Sequence, residues 1–229
     1  MTPLSRRKNE LYKVTNPILK NLGFRFFPKR ASRYLLDTEN YSVTIFFNYS
    51  IKSNNHGNTV FLIEHKNVEK HILEIGVPNK DFSSISNENR LFTIFDSDFS
   101  KKHQSLTHGL DLSTIEGFRQ WGHLIVDYAE GPGKAFIDTY SYLPNVLKEM
   151  DRLEAEGKYW KEILVGGIDH LFRGLIISKL CDDPNFNVKL EKWDSVIYQS
   201  KYKIWHSYYN TLKDRLKTIE PLYPYYKSV

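Results

Sequence analysis

The segment YSVTIFFNYSI, Tyr41 to Ile51, constrains the fold more than any other stretch of this 229-residue chain. Tyr41, Val43, Ile45, Phe47, Tyr49 and Ile51 alternate with Ser42, Thr44, Phe46, Asn48 and Ser50, and a period of two sets each group on one face of a β-strand. The odd positions are expected inside and the even ones nearer water. DTEN before it and KSNNHGN after it are turn sequences, so this strand should be the centre of two hairpins. Thr59–His65 and Lys70–Val77 read as the next two strands around a turn KNVE, and Arg90–Asp96 as a fifth.

Near residue 110 the period becomes helical. STIE, Ser113 to Glu116, has the form of a capping box in which Ser113 accepts from an early N–H and Glu116 reaches back, opening a helix that stops at EGPG. Pro144 occupies a tolerated first-turn position, so another helix should follow through Leu153. Trp160–Leu180 is apolar nearly all round, which marks a buried helix, and DDPN ends it. Tyr198, Tyr202, Trp205, Tyr209, Leu212, Leu216 and Ile219 recur at alternating steps of four and three. That spacing predicts one long final helix whose stripe is buried in its own chain, hence a monomer. At the other end, Ser5–Asn21 reads as a helix with Leu4, Leu11, Val14, Ile18 and Leu22 on one stripe and Gly23 past its end, although Pro17 opposes continuity. The expectation is a single α+β domain, 1–229. An antiparallel meander of four or five strands in the N-terminal half, 1–110, packs against helices mainly from the C-terminal half, 111–229.

Composition narrows the setting. Hydrophobic residues at 41% and charged ones at 26% are those of a globular protein with a core, not of a disordered chain. Cys181 is the one cysteine, so neither an intrachain disulfide nor a paired Cys-x-x-Cys zinc site can form, as in proteins of a reducing compartment. MTPLSRRKNELYK has the charge of a signal peptide's first region without an apolar run behind it, and no later stretch approaches the length of a bilayer span. A cytoplasmic protein with no membrane partner is expected. The formal charge of +5 is unevenly spread: residues 1–35 hold nine Lys or Arg against Glu10 alone, a local +8, and the remainder sums to −3. Such asymmetry predicts an acidic partner.

LGFRFFPKRASRYLL, Leu22 to Leu36, concentrates that charge. As one strand from Phe24 to Leu36 it sets Arg25, Lys29 and Arg33 on a face with Phe27, Ala31 and Leu35, and Arg30 adds a further base. Bases interleaved with rings suit single-stranded nucleic acid, where charge follows phosphates and rings stack bases. They also suit an edge strand guarded by charge, with Pro28 as its break. Arg25, Lys29, Arg30 and Arg33 are the candidate binding residues, for an acidic protein first and nucleic acid second.

Other chemistry has less support. EGPGKAF, Glu130 to Phe136, departs from a phosphate loop in spacing, puts Ala135 where a hydroxyl is needed and follows a helix, so it reads as a helix–helix connection. No cofactor is expected. Metal ligands of suitable type occur at His65, Glu69 and His71, and in the polar stretch FDSDFSKKHQSLTHGLD at Asp96, Asp98, His103, His108 and Asp111. No spacing among them fixes a geometry, so no metal site is assigned, but that stretch is where a metal-dependent hydrolase would have its centre. Cys181, followed by two aspartates, is not an activated nucleophile, and no Gly-x-Ser-x-Gly elbow occurs. Asp169 and Arg173 have i,i+4 spacing and, with His170, read as an internal polar network.

ILKNLGFRFFPKRASRYLL followed by YSVTIFFNYS resembles domain of unknown function 4304, a bacterial family that opens with a helix, a Gly-Phe junction (here Gly23 and Phe24), a basic segment and alternating strands. The resemblance covers the first third of the chain. It implies a bacterial α+β protein without established catalytic residues. Taken together, the sequence predicts a non-catalytic interaction protein of the toxin-neutralising kind. The alternatives are a nucleic-acid-binding protein and the metal-dependent hydrolase at Asp96–Asp111.

Overall fold

The computed structural model describes residues 2–28, 32–50, 56–80, 82 and 91–224. A five-stranded antiparallel sheet lies in the N-terminal half and the helices mostly in the C-terminal half, an α+β fold. The strands β1 (Arg25–Phe27), β2 (Arg33–Asp37), β3 (Tyr41–Ser50), β4 (His56–His65) and β5 (Ile94–Phe95) neighbour one another in chain order, the meander expected from the turn sequences. The chain divides into two compact units, each of two segments: 1–63 with 95–139, and 64–94 with 140–229. None of the three boundaries falls at residue 110, where the hydrophobic period changes.

In the first unit, α1 (Pro3–Asn21) is continuous through Pro17. Thr2 caps it, accepting from the Ser5 N–H at 3.2 Å, and Gly23 beyond its end has φ +89°, a left-handed conformation that glycine adopts without strain. The buried seam is Leu11, Thr15 and Leu19, one step round from the predicted stripe, with Val14, Ile18 and Leu22 half-buried beside it. α4 (Ile115–Glu130) packs along α1 at Gly122, where a Cβ would stand 3.0 Å from Val14 Cβ and 3.2 Å from the Leu11 carbonyl oxygen. The N-cap is Thr114, accepting from Gly117 N–H at 2.9 Å, not Ser113. Ser113 donates instead to Asp111, through its N–H at 3.0 Å and its hydroxyl at 2.6 Å, and Glu116 pairs with Arg119.

Tyr34, Phe47, Trp121 and Phe118 form a ladder of edge-to-face rings across the core of this unit, at centroid distances of 5.5 Å, 6.3 Å and 5.5 Å. Trp121 Nε1–H donates to Thr59 Oγ1 at 2.9 Å, giving the buried indole its partner. On β3, Val43, Ile45 and Phe47 are buried as predicted, Tyr41 and Tyr49 are half-buried, and Asn48 is exposed. Ser42 and Thr44, expected nearer water, are buried too. Their small hydroxyl side chains fit a covered face, so the alternation of size records two different packed environments rather than inside and outside. Ile51 lies outside the described residues, as do Ala31 and Arg90.

The second unit is built round α7 (Asp169–Leu180), buried on nearly every side. Around it come α2 (Lys66–Ile75), α6 (Leu143–Ala155), α8 (Phe186–Ile197) and α9 (His206–Leu216). α2 replaces the predicted strand at Lys70–Val77. KNVE, read as a turn, is the first turn of this helix, and Val68, Ile72 and Ile75 are buried at steps of four and three. α7 is shorter than Trp160–Leu180: a 3₁₀ turn, Trp160–Glu162, and a stretch through Gly166 at φ +125° precede it. Trp160 packs on Gly174, where a Cβ would overlap its ring.

The predicted final helix, Tyr198 to Ile219, is instead a 3₁₀ segment followed by a shorter helix, with α8, unforeseen from the sequence, before it. α8 ends at Ile197, a 3₁₀ segment Ser200–Trp205 follows, and α9 begins at His206. The seam breaks accordingly: Tyr209, Leu212, Leu216 and Ile219 are buried, Tyr202 and Trp205 are half-buried, and Tyr198 is exposed. Tyr198 folds back, its hydroxyl donating to Asn210 Oδ1 at 2.5 Å and its ring lying 5.7 Å from Tyr209. Among the described residues no helix is long and apolar enough to cross a membrane.

Candidate functional site

Of the four candidate binding residues, the structure places Arg25 and Arg33, while Lys29 and Arg30 lie outside the described residues. They do not sit on a single strand. The segment 24–36 is a hairpin in which Arg25 pairs with Leu35, Phe26 with Tyr34 and Phe27 with Arg33. Pro28, lacking an N–H, follows the last residue of β1 and helps to end it. Residues directly opposite in an antiparallel pair share a face, so Arg25 and Arg33 stay on one side with Phe27, and Phe46 joins them as the β3 partner of Arg33. Phe26 and Tyr34 take the other face, inside.

The result is a layered cluster of guanidinium and ring. The Arg25 and Arg33 guanidinium carbons lie 5.9 Å and 5.6 Å from the Phe27 centroid, and Arg33 is 5.9 Å from that of Phe46. Arg25 is 67% exposed and stands 3.9 Å from Asp37. Of the other N-terminal bases, Arg6, Lys13 and Lys20 are exposed on α1. Arg7 is not a surface charge: it donates to the Leu112 carbonyl at 2.6 Å and to Tyr49 Oη at 3.1 Å, and lies over the rings of Tyr49 and Phe118.

The second predicted location dissolves as a ligand set. Residues 97–108 are a helix, α3 (Ser97–His108), rather than a loop. Asp96 is its N-cap and His108 lies in its last turn, so the helix rise alone holds their backbones on the order of 18 Å apart. Asp111 is occupied by Ser113, and the His103 side chain is outside the described residues. His65 is buried and its Nε2–H donates to the Tyr140 carbonyl at 2.8 Å, burial having lowered its pKa to about 4. His71 faces Arg215 Nε at 3.2 Å, and Glu69 is bound to Arg173. Among the described residues no three His, Cys, Asp or Glu converge as a metal set. The Cys181 thiol is buried, and burial with Asp183 pushes it up to about 12. Lys134 of EGPGKAF pairs with Asp138 on α5 (Pro132–Tyr140).

The expected polar network around α7 is present and larger than its sequence spacing suggested. Arg173 grips Glu69 with two bonds, Nε to Oε1 and Nη2 to Oε2, both 2.8 Å, and donates to Asp169 Oδ2 at 2.6 Å. Thr93 hydroxyl donates to Glu69 at 2.8 Å, Gly167 N–H to Asp169 at 2.8 Å, and Lys80 stands 3.5 Å from Asp169. Burial raises the Glu69 pKa against the pull of Arg173; Asp169, also penalised by burial, is held below its usual value by Arg173. The contact of α2 with α7 could not be read from spacing, because its partners are 104 residues apart.

What sequence reasoning missed is a cleft of about 400 Å³ between α3 and α4. Its lining is Asp96, Asp98, Phe99, Lys102 and Leu106 from the α3 side and Leu124, Asp127, Tyr128 and Pro132 from the α4 side. Asp96 accepts from Phe99 N–H at 2.8 Å with one carboxylate oxygen and from the Tyr128 hydroxyl with the other, and burial raises its pKa. The Phe99 and Tyr128 rings lie tilted against each other with centroids 3.6 Å apart, and Phe61 meets both edge to face. The available signal was FDSDF, an N-cap Asp with a first-turn Asp, followed by Asp98, Lys102 and Leu106 at steps of four. No family model, curated protein or solved structure matches this chain.

Proposed function

We propose that this protein is a non-catalytic, cytoplasmic binding module that meets an acidic partner protein through the β1–β2 hairpin and the adjoining exposed bases of α1. The layered cluster of Arg25, Phe27, Arg33 and Phe46 carries this reading. The rings hold two guanidiniums on one face of the hairpin, and a guanidinium is the side chain whose planar fork best matches a carboxylate. The same placement favours a carboxylate-bearing protein over single-stranded nucleic acid, because two guanidiniums already lie over the Phe27 ring that a base would need. Toxin neutralisation is one role such a module could fill.

The test uses polyglutamate and oligothymidylate as probes, titrated against the wild type and a Lys20→Glu/Arg25→Glu variant at low and physiological salt. Both substituted side chains are exposed, so the fold should persist. Polyglutamate should bind the wild type, more weakly as salt rises, and should not bind the variant. Polyglutamate binding unaffected by the reversal would remove the reading. Tighter, steeply salt-dependent binding of oligothymidylate would replace it with nucleic-acid recognition.

A further inference from the structure

We infer that the α3–α4 cleft is a binding site for a small organic cation with an apolar or aromatic body. This goes beyond the basic hairpin, since it concerns different residues and the opposite charge. The cleft has the dimensions of a small-molecule site, and its lining has the usual two parts, an apolar surface and a few polar groups that fix orientation. Phe99, Leu106, Leu124, Pro132 and the Tyr128 ring form the apolar part. Leu106 keeps 46% of its surface exposed, an apolar group left in water at the mouth. Asp96, Asp98 and Asp127 against Lys102 give the lining a formal charge of −2.

Local helical geometry produces this arrangement. Asp98, Lys102 and Leu106 are at i, i+4, i+8 on α3, while Leu124, Asp127 and Tyr128 are at i, i+3, i+4 on α4, so each set shares one helix face. The bond from Tyr128 to Asp96 and the tilted contact of the Phe99 and Tyr128 rings tie the start of α3 to the end of α4 and fix the floor. Asp98 and Asp127 are exposed, where an ammonium could reach them without being stripped of all its water. An anion of the same shape would meet repulsion, and a neutral body would gain only the apolar contact. Charge complementarity therefore selects the ligand class, and the Phe99 and Tyr128 rings in the lining favour an aromatic body and offer a cation their π faces.

Tryptamine is the probe, with indole-3-propionate and 3-ethylindole as its anionic and neutral counterparts, and ligand-observed NMR with calorimetry as the readout. Tryptamine should bind at least about tenfold more tightly than indole-3-propionate, with the neutral compound between them. Asp127→Asn, on the exposed surface of α4, should erase the preference for the cation while leaving the neutral compound's affinity unchanged. Leu124→Trp should block all three, and circular dichroism reports whether that variant is folded; if it is not, the Asp127→Asn result alone decides. Equal or tighter binding of the anion, a preference for tryptamine that survives Asp127→Asn, or no binding of any of the three overturns the inference. None of these outcomes bears on the basic hairpin.

Discussion

Glu69 and Asp96 are both carboxylates whose pKa burial raises, yet they sit in opposite kinds of place. Glu69 is 1% exposed and closed in by a bidentate arginine and a threonine hydroxyl. Asp96 caps a helix at the edge of an open cleft. The difference teaches what a buried carboxylate can hold: Glu69 joins two helices where there is no room for a newcomer, and Asp96 ties two helices together at the floor of an open cleft. Perturbed ionisation alone would have flagged both.

The comparison breaks most visibly at Arg173. Arg173→Met leaves Glu69 and Asp169 facing an apolar side chain and should cost about 3–5 kcal/mol in chemical denaturation. In the variant both carboxylates favour their protonated forms when folded, so the deficit should shrink as pH falls from 7 towards 5. Replacing Glu69, Asp169 and Arg173 together by apolar residues should recover much of the loss, which would confirm that the network is closed.

His65 offers a second probe of that unit. Its folded pKa of about 4 lies below the ordinary 6.5, so between those values the unfolded chain binds more protons and stability falls as pH falls. The contribution is present above pH 6.5 and lost on acidification through about 4, a change on the order of 3 kcal/mol at full extent. His65→Gln, which keeps a donor for the Tyr140 carbonyl, should flatten that part of the stability profile.

Effects in the cleft should be smaller. Tyr128→Phe removes one donor to Asp96 and should cost about 1 kcal/mol, read as a lowered melting temperature. Asp127→Asn should fall within about 0.5 kcal/mol of the wild type, since its side chain is exposed. A large loss from Asp127→Asn would place that residue among structural carboxylates and sharpen the contrast in the other direction.

Legibility in the sequence followed the range of the interactions. β3, the buried character of α7 and the opening of α6 at Pro144 depend on residues close in sequence, and spacing revealed them. α2 was misread because KNVE passed for a turn between two strands, and packing on α7 selects the helix. The last helix was read as longer than α9 because heptad spacing continues through Tyr198 to Trp205, where the backbone is the cap of α8 and a 3₁₀ segment. Arg25 and Arg33 were foreseen on one face, although across a hairpin rather than along a strand. The cleft was hidden since its two walls belong to separate helices, and a polar stretch looked like a loop.

The division of each unit into two segments also orders events during synthesis. Glu69 leaves the ribosome well before its partner Arg173, 104 residues later. At about 5–20 residues per second the carboxylate waits roughly 5–20 s for its guanidinium. Throughout that interval the α2 segment has no α7 to cover Val68 and Ile72, while the whole of 95–139 emerges and can join the first unit. The nascent chain should thus complete its first unit while the second is unfinished, with α2 the segment most in need of a chaperone's shelter.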